Sequence, residues 1–463
     1  MKLVLIGGAG VRALAMVRDL IRKHTEIPIQ TLYIHDIVPE RLHTIGKMIK
    51  EEVRKGGSLF QVELTTDFQD AVRDADFIYT AIRVGGEQGR VIDERVPLRL
   101  GILGQETTGA GGFAMALRTI PVMLDYAEII EREAPNAWVI NFTNPAGLIT
   151  EALSRHSRVR VLGICDAPSS MQLDLARFLN VHPASVHLAY FGLNHLGWIR
   201  QVLVNGRDRL PEVIDRYDEF IRVCPHMSCF SVELIRRLEM LPNEYLYYYY
   251  YREQAVQHIL NGKETRGEQI NRLNEKLFSQ LQQSVSSGRM EDAFHVYDET
   301  MQQRQISYMS LESGRTSEPD KVDPSLLQHA LYENEGYAGL ALSIVSSIIH
   351  NRKTNLILNV PNRGAIADML PDDIVEVPCV LDANGALPLA IGSVPESCKG
   401  LLHGVKQYER LTVSAAVSGS YDEAWEALAM HPLIASESLA RQILDGYIEG
   451  HASYLSHFKK RGS

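Results

Sequence analysis

MKLVLIGGAGVRALAMVRDLIRK, residues 1–23, holds three local structures in one short run. Residues 2–6 are a continuous apolar stretch of strand length. Gly7, Gly8 and Gly10 then form a turn, and after Val11 and Arg12 the apolar residues recur at helical spacing. Residues 30–36 (QTLYIHD) read as a second strand that ends on Asp36. A strand, a glycine turn, a helix, a strand and an acid, in that order, suit a dinucleotide. The glycines let backbone N–H groups approach a pyrophosphate at a helix N-terminus, and the acid accepts hydrogen bonds from ribose hydroxyls. A carboxylate there repels a 2′-phosphate, so NAD is expected in place of NADP. The ordinary alternative is a tight turn in an α/β protein.

The same alternation continues outward. A helix is expected over 39–54, strands at 60–67, 76–82, 137–143 and 159–166, and helices at 68–75, 113–133 and 144–156. This predicts an α/β fold: a Rossmann-like, doubly wound parallel sheet over residues 1–165. Residues 166–463 are expected to form a mixed α/β lobe for substrate, metal and subunit contacts. Its strands fall at 186–193, 198–206, 354–364 and 373–385, and its long helices at 267–286 and 335–350. No internal repeat or linker interrupts the chain, so the two lobes are expected to intertwine.

With 463 residues, 45% of them hydrophobic, the chain can bury a large core. A net charge of −10 argues against nucleic acid and membrane surfaces as partners. The five cysteines are odd in number and irregularly spaced, which argues against a disulfide framework. The N-terminal apolar run is too short for a signal peptide, and no stretch of about 20 apolar residues could span a bilayer. The expectation is a soluble, cytoplasmic protein.

Several residues carry candidate chemistry. Cys165 and Asp166 follow a strand of the parallel sheet, at the end where such sheets bind ligands. Asn194 and His195 follow another apolar strand. Cys165 and His195 together could hold a divalent ion; singly, a buried thiol and a hydrogen-bonded imidazole are the ordinary readings. Cys224 and Cys229 lack a partner pair and read as structural. The loop GQETTGAGG reads as flexible, Asn144 as a helix cap, and Arg95 and Arg266 as background charges. From Tyr245 to Tyr251, six of seven positions are tyrosine. Such a run is ordinarily a packed wall on a strand, on which Tyr247 would share a face with Tyr245. A phenol, with an ordinary pKa of about 10, becomes a useful base only beside a strong positive charge.

Longer motifs recur in one order: DFIYTAIRVGG, DERVPLRLGILGQETTGAGG, LRTIP, NAWVINFTNPAG, GICDAP, GLNHLGW, PNEYLYYYY, and then NVPNRGAI, LPDDIVEVPC and HPLIASESLA. The chain resembles glycoside hydrolase family 4 over nearly its full length, most closely the 6-phospho-β-glucosidase branch. The resemblance implies a redox-neutral hydrolysis. NAD+ takes hydride from C3, a tyrosine removes the C2 proton, the aglycone leaves from C1, water adds, and the hydride returns. A divalent ion, usually Mn2+, holds the C2 and C3 oxygens. The resemblance assigns Cys165 and His195 to the metal, Tyr245 to the base with Tyr248 and Tyr247 as fallbacks, and Arg95, Asn144, Asn194 and Arg266 to substrate. It implies a phosphorylated disaccharide or aryl glucoside as substrate and a homodimer or homotetramer as the assembly.

Two positions depart from the family. Its glycine loop often reads GGGS, and here Val11 and Arg12 stand where a hydroxyl is expected; Arg12 can take over a phosphate contact. Asp166 follows the metal cysteine as in the 6-phospho-α-glucosidases, where it protonates the leaving group, whereas many β-enzymes carry Asn. The alternatives are therefore a 6-phospho-α-glucosidase or α-galacturonidase of the same family, or a plain NAD-dependent sugar dehydrogenase.

Overall fold

The computed structural model describes residues 1–307, 309, 313 and 337–458. Its strands are β1 (Lys2–Ile6), β2 (Thr31–His35), β3 (Gln61–Thr65), β4 (Phe77–Thr80), β5 (Trp138–Asn141), β6 (Arg160–Gly163), β7 (Val186–Leu193), β8 (Leu196–Val204), β9 (Arg207–Asp208), β10 (Leu241–Pro242), β11 (Thr354–Pro361), β12 (Ile374–Asp382) and β13 (Gly385–Pro388). Nine of them form one sheet in the order β13-β12-β11-β6-β5-β4-β1-β2-β3. From β3 to β6 every pairing is parallel, giving the doubly wound order 3-2-1-4-5-6.

The alternation of side chains explains why both faces need helices. Leu3 and Leu5 of β1 enter one apolar core, while Val4 and Ile6 enter another on the opposite face. Phe77 and Tyr79 of β4 likewise part from Ile78. Helices Ala13–Arg22 and Pro39–Lys55 cover the first face; Phe68–Val72 and the end of Ala110–Glu133 cover the second. The last helix starts three residues earlier than its sequence pattern suggests. Helix Gly86–Leu98, with Pro97 in its last turn, has no clear apolar period and is not anticipated.

Strands β11–β13 do not build a separate sheet. β11 pairs antiparallel with β6 at Asn359 and Gly163, and β12 and β13 follow it antiparallel. A small second sheet, β10-β8-β7 with β9 on β8, holds the hairpin of residues 186–204. Helices Arg266–Ser286 and Tyr337–Ile349 match expectation; residues 335 and 336 lie outside the described residues. Helices Glu396–Ser418, Tyr421–Met430 and Glu437–Gly450 complete the chain. Among the described residues, no helix is long and apolar enough to cross a membrane.

Candidate active site

The glycine turn lies at the point where the strand order reverses, between β1 and β4. Gly7 has φ +75°, and a Cβ there would lie 2.4 Å from the carbonyl oxygen of Ala81, so only glycine fits. Asp36, just past β2, accepts from the Ala9 N–H at 3.1 Å and the Val38 N–H at 3.0 Å. Its carboxylate thus faces the glycine loop, where a ribose would sit. The loop leads into helix Ala13–Arg22, whose first turn has no side-chain cap. Uncapped N–H groups at a helix start form an anion site. Gly8, Gly10 and Val11 take part in this cradle: the Gly8 N–H donates to His35 O, the Gly10 N–H to Gly7 O, and Val11 O accepts from Tyr297. The residues present fit a dinucleotide.

Cys165 lies buried just beyond β6. His195 occupies the two-residue turn between β7 and β8, with φ +62° and a buried ring. Its Nδ1 lies 2.9 Å from the Thr107 hydroxyl. That bond fixes the ring and leaves Nε2 to serve as a ligand. Tyr245 stacks on this imidazole, with ring centroids 3.7 Å apart and planes 1° from parallel. Asn243 sets the turn, since its Oδ1 accepts from the Tyr245 N–H at 3.0 Å. Glu376 of β12 links the Cys165 and His195 segments. It accepts from Asn194 Nδ2 at 3.3 Å, Asn359 Nδ2 at 2.9 Å and the Tyr190 hydroxyl at 2.7 Å, and its charge acts on Cys165.

Cys165 lies among acidic side chains. Burial, then Glu376 and Asp166, push the Cys165 thiol well up. Burial, with Asp166 and Glu376, pushes Glu244 up to about 8. Burial, with Asp166 adding, pushes Glu376 up to about 7. Neighbouring carboxyls thus hold protons that a divalent ion would displace. Burial pushes His195 down to about 4, so its imidazole is neutral and able to ligate. A thiol, a neutral imidazole and this negative surround suit a borderline divalent ion.

Asp166 starts helix Ala167–Leu179, but its side chain makes no cap bond there. Asn144 precedes the cis Asn144–Pro145 bond, and Pro145, not Asn144, takes the helix cap position. Arg95 pairs with Glu268 through two bonds of 2.8 and 2.5 Å, so its charge joins two helices. Arg266 is half-buried and bonds Gln269, the Ser307 hydroxyl and the Arg304 carbonyl. The tyrosine run is not a strand. Glu244–Leu246 is a 3-10 turn and Tyr247–Tyr250 a helix, because the Asn243 side chain starts a turn that overrides strand propensity. Tyr248, three residues on, is therefore the neighbour of Tyr245, at 6.1 Å between centroids. Tyr247 stacks on Tyr251 instead, and Tyr250 accepts from Trp198. Most of the run is the packed wall that the ordinary reading expects.

Some residues escaped sequence reasoning. Glu106, in the loop taken as flexible, is gripped by Arg83 at 2.7 Å and Arg90 at 2.9 Å. Burial opposes its charge, but these arginines hold it well below the carboxylate range. Cβ atoms at Gly111 and Gly112 would meet the carbonyls of Gln105 and Thr107 at 2.0 and 2.2 Å. Gly111 and Gly112 therefore serve close packing, Gly112 against the backbone of Thr107, whose hydroxyl meets His195. Glu376 had one legible signal: a lone acid inside the apolar run VEV. Arg304 had none; burial and then Arg12, Arg266 and Arg90 push it down to about 10. Arg12 itself stands over the Phe142 ring at 5.1 Å.

Comparison with known proteins places the chain in a family. Residues 2–181 match the family 4 glycosyl hydrolase model, and residues 190–434 match the family 4 glycosyl hydrolase C-terminal domain. A probable 6-phospho-beta-glucosidase of Bacillus subtilis is 33% identical, the match covering 99% of this chain and 98% of that protein. A 6-phospho-alpha-glucosidase from gut microorganisms, solved with NAD and Mn2+, has a TM-score of 0.81 at 30% identity and 97% coverage of both chains. The 6-phospho-beta glucosidase of Thermotoga maritima, solved with manganese, NAD+ and glucose-6-phosphate, also has a TM-score of 0.81, at 26% identity, covering 98% of this chain and 99% of that one. The chain belongs to the family 4 glycosyl hydrolases.

Proposed function

We propose that the protein hydrolyses 6-phospho-β-glucosides by removing the C2 proton and eliminating the aglycone, with Tyr245 as the base. The observation that carries the reading is the parallel stacking of Tyr245 on His195 at 3.7 Å. It sets the phenol beside the imidazole that would ligate the ion. The glycine turn and Asp36 would hold NAD, which would supply hydride chemistry, and Cys165 and His195 would hold a divalent ion, which would supply Lewis-acid polarisation of the sugar.

The chain's own residues do the rest. Tyr245 takes the proton at C2 and returns it after water adds. Asn194, oriented by Glu376, donates to a sugar hydroxyl. Asp166 stands at the same cluster, placed to act on the departing oxygen at C1. The 6-phosphate binds near Arg266 and Arg304, where burial and crowded positive charge lower Arg304. An oxyanion relieves that crowding, and guanidinium binds it in a bidentate manner. Asn144 and Arg95 complete the substrate contacts, Arg95 by exchanging its Glu268 pair. Residues 1–165 bind NAD, residues 166–463 bring the base, the metal histidine and the subunit contacts, and the working form is a homo-oligomer.

A second reading, a 6-phospho-α-glucosidase, is favoured by Asp166 itself, whose carboxyl is not used as a helix cap. Release of nitrophenol from the two anomers of nitrophenyl glucoside 6-phosphate, with NAD+, Mn2+ and a thiol reductant, separates the readings. Release from the β-anomer that needs both NAD+ and the ion is the expected result. Release from the α-anomer alone replaces it with the second reading. Net NADH build-up without aglycone release would point to a dehydrogenase and overturn both.

A further inference from the structure

A second group of metal-type donors shares no residue with the Cys165 and His195 pair. Asp174 lies on helix Ala167–Leu179, Cys224 follows helix Tyr217–Val223, and His226 lies in the 3-10 turn Pro225–Cys229. One ligand atom from each lies within 4.8 Å of the other two. Cys224 Sγ is 3.2 Å from His226 Nε2 and 3.7 Å from Nδ1. A tetrahedral zinc ion with bonds of about 2.3 Å to sulfur and 2.0 Å to nitrogen holds those atoms about 3.5 Å apart. The observed spacings bracket that value. This is no exposed acidic patch, since Cys224 is fully buried and the Asp174 side chain is 14% exposed. Arg177 bonds Asp174 at 3.0 Å, and the Cys224 thiol hydrogen-bonds the same carboxylate through a proton that an ion would replace.

We propose that Asp174, Cys224 and His226 bind a divalent ion of the zinc class, with water at the fourth position. Binding replaces the thiol proton: Cys224–SH and the ion give the thiolate complex and a free proton. One thiolate, one imidazole and one carboxylate favour zinc over the harder manganese. The position suggests a structural clamp. The turn Pro225–Cys229 packs on the turn Glu244–Leu246, which carries Tyr245. Helix Ala167–Leu179 starts at Asp166. An ion shared by these segments ties the strand end of Cys165 to the support of Tyr245.

Cobalt(II), a coloured stand-in for zinc, tests this without any assay of activity. Protein stripped of metal is titrated with cobalt, and equivalents and the thiolate-to-cobalt charge-transfer band are recorded. The wild-type chain is expected to take up two equivalents, Cys165→Ala/His195→Ala one with the thiolate band kept, and His226→Gln or Cys224→Ser one fewer than wild type. If the double variant does not fold, the comparison of wild type with His226→Gln decides alone. A wild-type chain that binds one equivalent, unchanged by His226→Gln and by Cys224→Ser, overturns the site. Loss of only the equivalent that depends on Cys165 would strike the catalytic reading and leave this site standing.

Discussion

If Cys165 and His195 hold the divalent ion as proposed, its binding expels protons, and the surrounding groups indicate roughly how many. Burial, Glu376 and Asp166 keep the metal-free Cys165 thiol protonated at neutral pH. A ligating cysteine is a thiolate, so one proton leaves there. Glu244, pushed up to about 8, is about nine-tenths protonated at pH 7, and Glu376, at about 7, is about half protonated. A positive ion beside them lowers both, and the total approaches roughly two protons per ion. His195, at about 4, is already neutral and contributes none. The bound form holds fewer protons than the free form, so affinity rises with pH. Each proton expelled is worth about tenfold per pH unit, which predicts roughly 10- to 100-fold tighter Mn2+ binding at about pH 7.5 than at about pH 6.5. Titration calorimetry in buffers of different ionisation enthalpy counts the protons directly. The Cys224→Ser chain removes the second thiol from the count. Equal heats in every buffer, with an affinity flat in pH, would refute the assignment of Cys165 as a protonated thiol that becomes the ligand.

Thr107→Val removes the hydroxyl 2.9 Å from His195 Nδ1 and keeps the volume. Loss of such a support typically costs 10- to 100-fold in metal affinity; Mn2+ titration should show that loss with NAD+ affinity kept, and an unchanged Kd would make Thr107 a bystander. Tyr245→Phe leaves the stacked ring and deletes the proposed base; kcat should fall by about 10² to 10⁴, and exchange of the substrate's C2 hydrogen with deuterated solvent should stop. Persistent exchange in that variant would move the base to Tyr248. Arg12→Ala removes a charge that crowds Arg304 and stands over the Phe142 ring. A lost charge-assisted contact of about 1.5–3 kcal/mol predicts a KM for phosphosugar or NAD+ raised by roughly 10- to 100-fold, and unchanged Michaelis constants for both would sink the role.

The cofactor half was legible because local rules and global topology agree there. β1, the glycine turn and Asp36 lie within 36 residues, and the structure places each where a βαβ unit puts it. Cys165 and Asp166 were legible for the same reason, as the end of a parallel strand. The tyrosine run was misread as a strand because propensity describes a surface to be packed, while Asn243 supplies a turn that tertiary partners, among them β8 and the Tyr190 hydroxyl, hold in place. Glu106 and Thr107 were missed because a glycine-rich loop in sequence does not reveal whether its glycines serve freedom or contact. Gly111 and Gly112 serve contact.

Glu376 shows why the two halves of the chain cannot be separated by function. It reaches Cys165 only because β11 pairs with β6 and carries β12 alongside, 376 − 165 = 211 residues away in sequence. That antiparallel extension covers the edge that β6 would otherwise expose. It also brings a carboxylate to the carboxyl end of the parallel strands, where ligands bind. A buried acid with three hydrogen-bond donors around it is costly to place and is stabilised by a nearby cation. With the proposed metal site, the arrangement trades stability in the metal-free chain for a charge that the ion would complete. It follows that the same residues which orient Asn194 and surround Cys165 also make the sheet extension sensitive to metal, so metal binding should protect β11 and β12 from hydrogen exchange, well beyond the two ligands themselves.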